Sequence, residues 1–209
     1  VNLPDGTKYI AFRHYNSTDQ YCVNIDDVTV YGNQAITNYG FKVGDTEVTS
    51  GNALNISQVG GFSAVMKGKL TYDDASKTLT IKNATIKLPA ESEASGLEFL
   101  GNQAYTIKLE GNNQILTTRG WAIRGQKGAL NIKGPGKLIV IMSDSLKGIK
   151  TQGDLSFSDK CKVIGAMPII TEQAGKIYID GAYIHARNRD SGFAISAELS
   201  GGGDLAVRK

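Results

Sequence analysis

The stretch "GALNIKGPGKLIVIMSDSLKGIK", residues 128–150, contains three short apolar segments separated by glycine, proline or polar residues. Apolar and polar residues alternate in the first segment, as expected for a β-strand that buries one face, and the second segment is almost entirely apolar. Gly134, Pro135 and Gly136 separate these two segments, and Gly148 precedes the third. Interruptions this regular indicate a chain that turns repeatedly between short strands.

The apolar pattern of this stretch recurs about every 25 residues along the chain. The first set of recurring apolar pairs is Leu79/Ile81, Tyr105/Ile107, Leu130/Ile132, Leu155/Phe157, Ile177/Ile179 and Leu205/Val207. The second and third sets are Ile86, Ile115, Leu138, Val163, Ile184, and Leu97, Ile123, Ile149, Ile169, Ile195. Because all three sets recur in the same order, the sequence predicts an all-β parallel β-helix with three strands in each coil. A β-sandwich of hairpins is the alternative, but hairpins would reverse the strand order.

The residues that come directly before the third set are all small or cyclic: Gly96, Ala122, Gly148, Pro168 and Ala194. Repeated small residues at one position indicate that the backbone turns tightly there and leaves no room for a bulky side chain. The sequence therefore predicts a narrow corner before each third strand.

Composition excludes several classes of protein. The 209 residues carry 25 glycines and a net charge of +3. The sequence contains no clustered basic domain with stacking aromatics, so nothing in it indicates a nucleic-acid partner. No apolar run approaches the ~18 residues of a membrane span. Because the chain starts at Val1 without Met, we expect a targeting segment to have been removed. It ends at Lys209, directly after the last recurring apolar pair, which would leave the edges of the last strands exposed. We therefore expect the native polypeptide to continue and cover these edges.

Residues that could support catalysis are few. Cys22 and Cys161 lie far apart and are predicted to be unpaired structural thiols. His14 and His185 fall in different parts of the chain, and a general base needs a partner within hydrogen-bonding reach. No motif of a zinc protease, an α/β-hydrolase or a P-loop is present.

A polysaccharide lyase or hydrolase is the enzymatic alternative. A hydrolase needs paired carboxylates, yet Glu98, Asp154 and Asp180 follow different registers. Arg119 and Arg124 flank the "GWAI" segment, and one of them could serve as the base of a lyase. Without an acidic cluster in register, the sequence favours a protein that is not an enzyme.

Outward positions beside the first set suggest a ligand-binding strip. Lys82, Lys108 and Lys133 follow successive pairs, and three ammonium groups ~5 Å apart would repel one another unless a polyanion lay along them. The preceding row contains short polar groups and one tyrosine: Thr80, Thr106, Asn131, Ser156 and Tyr178. These rows predict a strip for a uronic or sulfated glycan. The alternative, which we weigh more heavily, is a solvated lysine ladder that discourages aggregation.

Trp121 permits two interpretations. It lies two residues before Ile123, the same position as Met167 and Phe193, which favours a place in the core. Lys147 occupies the equivalent position in another coil and indicates a partly open corner, at which Trp121 could stack on a sugar.

Two motifs before and within the first coil resemble a family of bacterial secreted proteins with right-handed β-helix repeats. The motifs are "YGFKVGDTEVTSGN", residues 39–52, and "YDDASKTLTIKNATI", residues 72–86. The resemblance covers about residues 36–209. It implies a carbohydrate-binding β-helix domain, and in some members a lyase-like fold that has lost catalysis and binds acidic polysaccharide with calcium.

The beginning of the chain resembles the last strands of the cleaved-adhesin jelly-roll modules found in surface proteins and gingipain-type proteases of Bacteroidetes. The residues that carry this resemblance are "LPDGTKYIAFRHYN", 3–16, and "NIDDVTV", 24–30. The resemblance implies that Asp26 and Asp27 occupy the position of structural calcium ligands, although the partner ligands of those modules are absent from this sequence.

Together these observations predict three segments: jelly-roll strands over 1–33, a β lead-in that caps the column over 34–78, and right-handed parallel coils over 79–209. The expected function is non-catalytic carbohydrate binding or adhesion by a secreted or surface-anchored fragment of a larger multidomain chain. The expected partner is a polysaccharide or a host or cell-surface glycan, and calcium is the one cofactor considered. The candidate ligand-binding residues are Lys82, Lys108, Lys133, Asn131, Tyr178, Arg124 and Trp121. A lyase and a passive stalk are the alternatives.

Overall fold

The computed structural model describes residues 35–56, 65–142, 147–165, 167–173, 175–187, 194–197 and 205–208. The chain divides into two compact units, Val1–Ala35 and Ile36–Lys209. The candidates Asp26, Asp27, His14 and Cys22 lie outside the described residues. Within the described ranges, no helical segment has the length and apolar character needed to cross a bilayer.

The second unit is built from β-strands. Three strands precede the coils: β1 (Asn38–Val43), β2 (Thr46–Thr49) and β3 (Val65–Asp73). The strands of the first three coils are β4 (Thr78–Lys87), β5 (Leu97–Phe99), β6 (Tyr105–Glu110), β7 (Asn112–Thr117), β8 (Ile123–Gly125), β9 (Leu130–Lys133), β10 (Lys137–Met142) and β11 (Ile149–Thr151). Those that follow are β12 (Leu155–Phe157), β13 (Lys162–Gly165), β14 (Ile169–Thr171), β15 (Ile177–Asp180), β16 (Tyr183–Ala186), β17 (Ile195–Ala197) and β18 (Leu205–Arg208).

The coil strands stack into three parallel columns. The first column follows the order β4-β6-β9-β12-β15-β18, the second β4-β7-β10-β13-β16, and the third β5-β8-β11-β14-β17. β4 belongs to two columns because its first half pairs with β6 and its second half with β7. The predicted parallel β-helix is confirmed. The hand of its winding stays a prediction.

The lead-in covers the N-terminal end of the columns with antiparallel strands. β1 pairs with β2 and with β5, and β3 pairs with β4. Aromatic side chains from the lead-in and the first two coils fill the end of the core; Phe41 stacks on Phe99 at a centroid distance of 5.3 Å. The Tyr105 hydroxyl donates to the Tyr39 carbonyl at 2.8 Å, which joins the second coil to β1. The predicted capping segment is confirmed.

The predicted registers are correct in the third column and shifted at two places elsewhere. Leu97, Ile123, Ile149, Ile169 and Ile195 stack directly, as predicted. In the first column the predicted stack is correct from β6 onward, but Ile107 lies beside Leu79 and not beside Ile81. In the second column, Ile115 lies beside Val140 and not beside Leu138. Because side chains alternate with a period of two, a two-residue shift keeps the same face inward and leaves the apolar pattern unchanged.

One buried polar side chain holds three coils together in the second column. Asn113 is 1% exposed and lies in register with Leu138 of the next coil. Its Oδ1 accepts from the amide of Ala84 at 2.9 Å, and its Nδ2 donates to the carbonyls of Glu110 and Lys137 at 3.2 Å each. The side chain thereby satisfies the backbone at a corner where strand pairing is interrupted.

The narrow corner before the third column is confirmed. The amide of Leu97 donates to the carbonyl of Ala122 at 3.0 Å, and a Cβ on Gly96 would lie 2.7 Å from that oxygen. The segments that lead into this corner vary in length: nine residues separate β4 from β5, whereas three separate β13 from β14. The third-column strands stay in register despite this variation.

Candidate functional site

The outer face of the first column carries a row of short polar side chains that ends in a tyrosine. The residues in register are Thr78, Thr106, Asn131, Ser156 and Tyr178. We name this row, together with Lys108 and Lys133 beside it, the polar strip. The Ser156 hydroxyl donates to Asn131 Oδ1 at 2.7 Å, and Tyr178 is 38% exposed. Asn131 and Tyr178 lie on one face, as predicted. Thr80, which was predicted in this row, lies beside Lys108 in the neighbouring row, and Thr78 is the residue in register with Thr106.

The predicted row of three lysines is wrong at its first member. Lys82 lies in register with Glu110, whereas Lys108 and Lys133 are direct neighbours. The cause is the two-residue shift between β4 and β6. Glu110 Oε1 lies 2.8 Å from Lys108 Nζ, and its Oε2 lies 3.5 Å from Lys82 Nζ. One carboxylate therefore offsets part of the charge that the lysines bring to this face.

The electrostatics of the polar strip follow from Glu110. Its hydrogen bond to Lys108 holds the pKa of the Glu110 carboxyl below its ordinary value, and the charges of Lys108 and Lys82 act in the same direction. The carboxylate therefore stays ionised at neutral pH. In the described part of the chain, Lys133 forms no ion pair, so its ammonium is the cation that the strip presents without a protein partner.

The outer face of the third column brings Arg124 beside acidic and amide groups. Arg124 is in register with Glu98 and with Lys150. Its Nη1 lies 3.3 Å from Glu98 Oε1, to which Gln126 Nε2 also donates at 2.9 Å. Lys150 Nζ lies 2.5 Å from Glu172 Oε1. The cations of this face are thus held by carboxylates of neighbouring coils.

Trp121 fits neither predicted interpretation completely. It is half-buried, whereas Met167 at the equivalent position is fully buried, as predicted for the core. Lys150 Nζ lies 5.2 Å from the centroid of the indole ring, within the range of a cation–π contact. The carbonyl of Trp121 also accepts from the Gly96 amide at 2.9 Å. Trp121 is therefore a half-buried side chain in contact with Lys150, neither a fully buried core residue nor an open stacking platform.

The remaining candidates do not form a common site. Arg119 pairs with Glu91 and Glu93 at a distal corner, apart from the pairing of Arg124 with Glu98. Cys161 is a free, buried thiol, and burial raises the pKa of Cys161 to about 11.

Two further candidates, Asp154 and His185, take part in none of these pairs. Asp154 accepts from the amide of Lys176 at 2.8 Å, and His185 is exposed on β16. Within the described residues, no group of three or more His, Cys, Asp or Glu side chains could hold a metal ion.

The acidic partners of the candidate cations were missed by sequence reasoning. Glu110 follows Lys108 by two residues and so shares its outward face, a signal that strand periodicity contains. Glu172 lies just after β14 and pairs with Lys150 across a coil, which no local pattern indicates.

One family model and several curated proteins match part of the chain. Residues 1–30 match the family model of the Cleaved Adhesin Domain. Lys-gingipain W83 of Porphyromonas gingivalis is 44% identical over 52 residues, 24% of this chain and 3% of that protein. Hemagglutinin A of Porphyromonas gingivalis (strain ATCC BAA-308 / W83) is 44% identical over 52 residues, 24% of this chain and 2% of that protein. Gingipain R1 of Porphyromonas gingivalis is 52% identical over 33 residues, 16% of this chain and 2% of that protein.

The resemblance of the first residues to the cleaved-adhesin family is thus confirmed. The chain spans only a few per cent of the length of these curated relatives. No solved structure matches the chain.

Proposed function

We propose that the chain is part of a secreted or cell-surface adhesin in which the β-helix binds a glycan without cleaving it. The similarity of residues 1–30 to the Cleaved Adhesin Domain, and of the same chain to a hemagglutinin, supports a role in adhesion. The glycan is assigned to the polar strip. The remaining parts of a longer polypeptide would act alongside it.

The observation that carries the proposal is the row of Asn131, Ser156 and Tyr178 on consecutive strands. Strands in register lie ~4.8 Å apart, so the row offers hydroxyl and amide groups at regular intervals along a flat surface. A polysaccharide presents hydroxyl groups with a similar regularity, and an exposed tyrosine supplies an apolar ring with a polar end. Lys133 adds a positive charge beside the row, which favours a uronic or sulfated chain over a neutral one.

Binding to a glycan array by the whole 209-residue chain tests the proposal. We expect the double variant Asn131→Ala/Tyr178→Ala to lose most binding while remaining folded. Tyr183→Ala removes a tyrosine that is 53% exposed on the second column and serves as the matched control. Equal loss in the control and in the double variant would contradict the assignment to the polar strip.

Two charge variants test the acidic character of the ligand. Lys133→Gln should weaken binding of an anionic glycan about fivefold, the value of a surface ion pair near 1 kcal/mol. Glu110→Gln should strengthen it, because Lys82 and Lys108 would lose their shared carboxylate. Neutral glycans should respond to neither change. If both variants left the affinity for polyuronates unchanged, the polar strip would not recognise the charge of its ligand, and the preference for an acidic glycan would be wrong.

A calcium-dependent polysaccharide lyase is the competing proposal, carried by Arg124 and by the family resemblance of the coils. Release of unsaturated products from a polyuronate panel with calcium would establish it and contradict a purely binding role. A passive stalk is the third possibility, and an array without any bound glycan would favour it.

A further inference from the structure

Apolar side chains occupy the centre of the outer face of the second column. Ile139 and Ile164 are direct neighbours in one row, and Leu116 and Ile141 are neighbours in the next. Ile141 is 44% exposed and the other three are partly exposed. Outward positions of a one-sided sheet are ordinarily polar, so this cluster needs an explanation.

Cations surround the apolar cluster. Lys137 and Lys162 are neighbours in the adjoining row, and Lys87 lies in register with Leu116. The amide of Arg187 donates to the carbonyl of Gly165 at 3.1 Å, which places Arg187 beside the end of β13. We name these four cations and the four apolar residues the basic–apolar face. Among the outward positions described for this column, none is occupied by Asp or Glu.

The four cations also lack the neutralising partners found on the other faces. Lys108 and Lys82 share Glu110, Arg124 pairs with Glu98, and Lys150 pairs with Glu172. In the portion of the chain that the structure describes, no ion pair involves Lys87, Lys137, Lys162 or Arg187. Among the described residues, the basic–apolar face therefore carries positive charge that no carboxylate balances, around an apolar centre, and this is complementary to an anionic amphiphilic surface.

The size of the cluster decides between a protein and a lipid as its partner. Its four apolar residues lie in two neighbouring outward rows and on three strands, two of them on β10 and one each on β7 and β13, so they span roughly 7 Å by 10 Å between Cα atoms. A stable protein interface buries ~800 Å² on each partner, polar surface included, which the apolar cluster does not supply by itself. A second copy of the chain would also place lysines against lysines. A bilayer requires no complementary shape, and long lysine side chains reach phosphates while shorter apolar ones enter the interface.

We propose that the basic–apolar face binds the surface of an anionic lipid bilayer. Isoleucine and leucine side chains contact the boundary between headgroups and acyl chains, and the surrounding cations bind lipid phosphates. This inference is independent of glycan binding by the polar strip, because the two faces lie on different columns and share no residue.

Sedimentation of the whole chain with vesicles tests the proposal. We expect binding to phosphatidylcholine vesicles that contain phosphatidylglycerol, weaker binding to pure phosphatidylcholine, and release as salt is raised. Each basic residue near such a surface contributes about a fivefold change in partitioning. Lys137→Gln/Lys162→Gln should therefore lower partitioning about 25-fold. Ile141→Ser should lower it severalfold without changing the net charge, because less apolar surface would enter the interface.

The matched control is Lys82→Gln/Lys133→Gln, which removes the same charge from the first column. We expect this control to reduce partitioning much less than Lys137→Gln/Lys162→Gln, and circular dichroism with thermal unfolding should confirm that every variant folds. Equal reductions in the two double variants would overturn the proposal, because they would indicate attraction by net charge alone. Absence of binding to the anionic vesicles would also overturn it and would leave an acidic protein as the partner to seek.

Discussion

Removal of the Asn113 side chain should weaken the β-helix far more than removal of its neighbour Asn112. Asn113→Ala deletes three hydrogen bonds that join three successive coils. At roughly 1 kcal/mol net for each bond, the free energy of unfolding should fall by about 3 kcal/mol. For a chain of this length the midpoint of thermal unfolding should fall by roughly 6–12 °C.

Denaturant and thermal unfolding of the two variants measure this difference. Asn112 is exposed, and only its backbone amide takes part in the corner, donating to Asn83 Oδ1 at 3.0 Å. Asn112→Ala should therefore change stability by less than about 0.5 kcal/mol. Asn113→Asp keeps the shape and the acceptor but turns an oxygen toward two carbonyls, so it should cost at least as much as Asn113→Ala. Stability of Asn113→Ala or Asn113→Asp within 0.5 kcal/mol of the parent would refute the role assigned to the side chain.

Two further predictions concern buried hydroxyl groups. Among the described residues, Thr117 Oγ1 is a buried atom without a hydrogen-bond partner, so Thr117→Val should raise the free energy of unfolding by about 1 kcal/mol; a loss of stability in denaturant unfolding would contradict this. Burial raises the pKa of Tyr105 to about 12 from its ordinary 10, so its contribution to stability is complete below pH 10 and declines as the pH rises through 12. Tyr105→Phe should make stability less dependent on pH in that window, and an unchanged slope would show that Tyr105 ionises normally.

The architecture could be predicted because its signal repeats. The third column was placed correctly from five apolar positions and the small residues before them, since a narrow corner admits nothing else. The same reasoning shifted Ile81 against Ile107 by two residues, because an apolar–polar alternation accepts any even displacement equally well. The register depends on features that do not repeat along the sequence. Two of them are the hydrogen bonds of Asn113 and the absence of a corner within β4, and hydrophobic periodicity indicates neither.

The candidate site was less predictable because it depends on pairing between coils. In the observed register Glu110 pairs with both Lys82 and Lys108. The two-residue error in the first column therefore made the predicted positive charge of this face too large. Asn131 and Tyr178 were placed on one face correctly because the first column is regular from β6 onward. The basic–apolar face was not predicted, because only the inward apolar positions of these strands were used to predict the columns.

The corner that leads into the third column has a wider consequence. Three residues suffice between β13 and β14, nine are accommodated between β4 and β5, and the strands that follow stack identically. The length of the segment at this corner can therefore change while the core strands keep their positions. Extra residues can be inserted there without repacking the interior. Evolution could use it to diversify the periphery of successive coils, and the same junction offers an engineer a permissive place to graft an epitope.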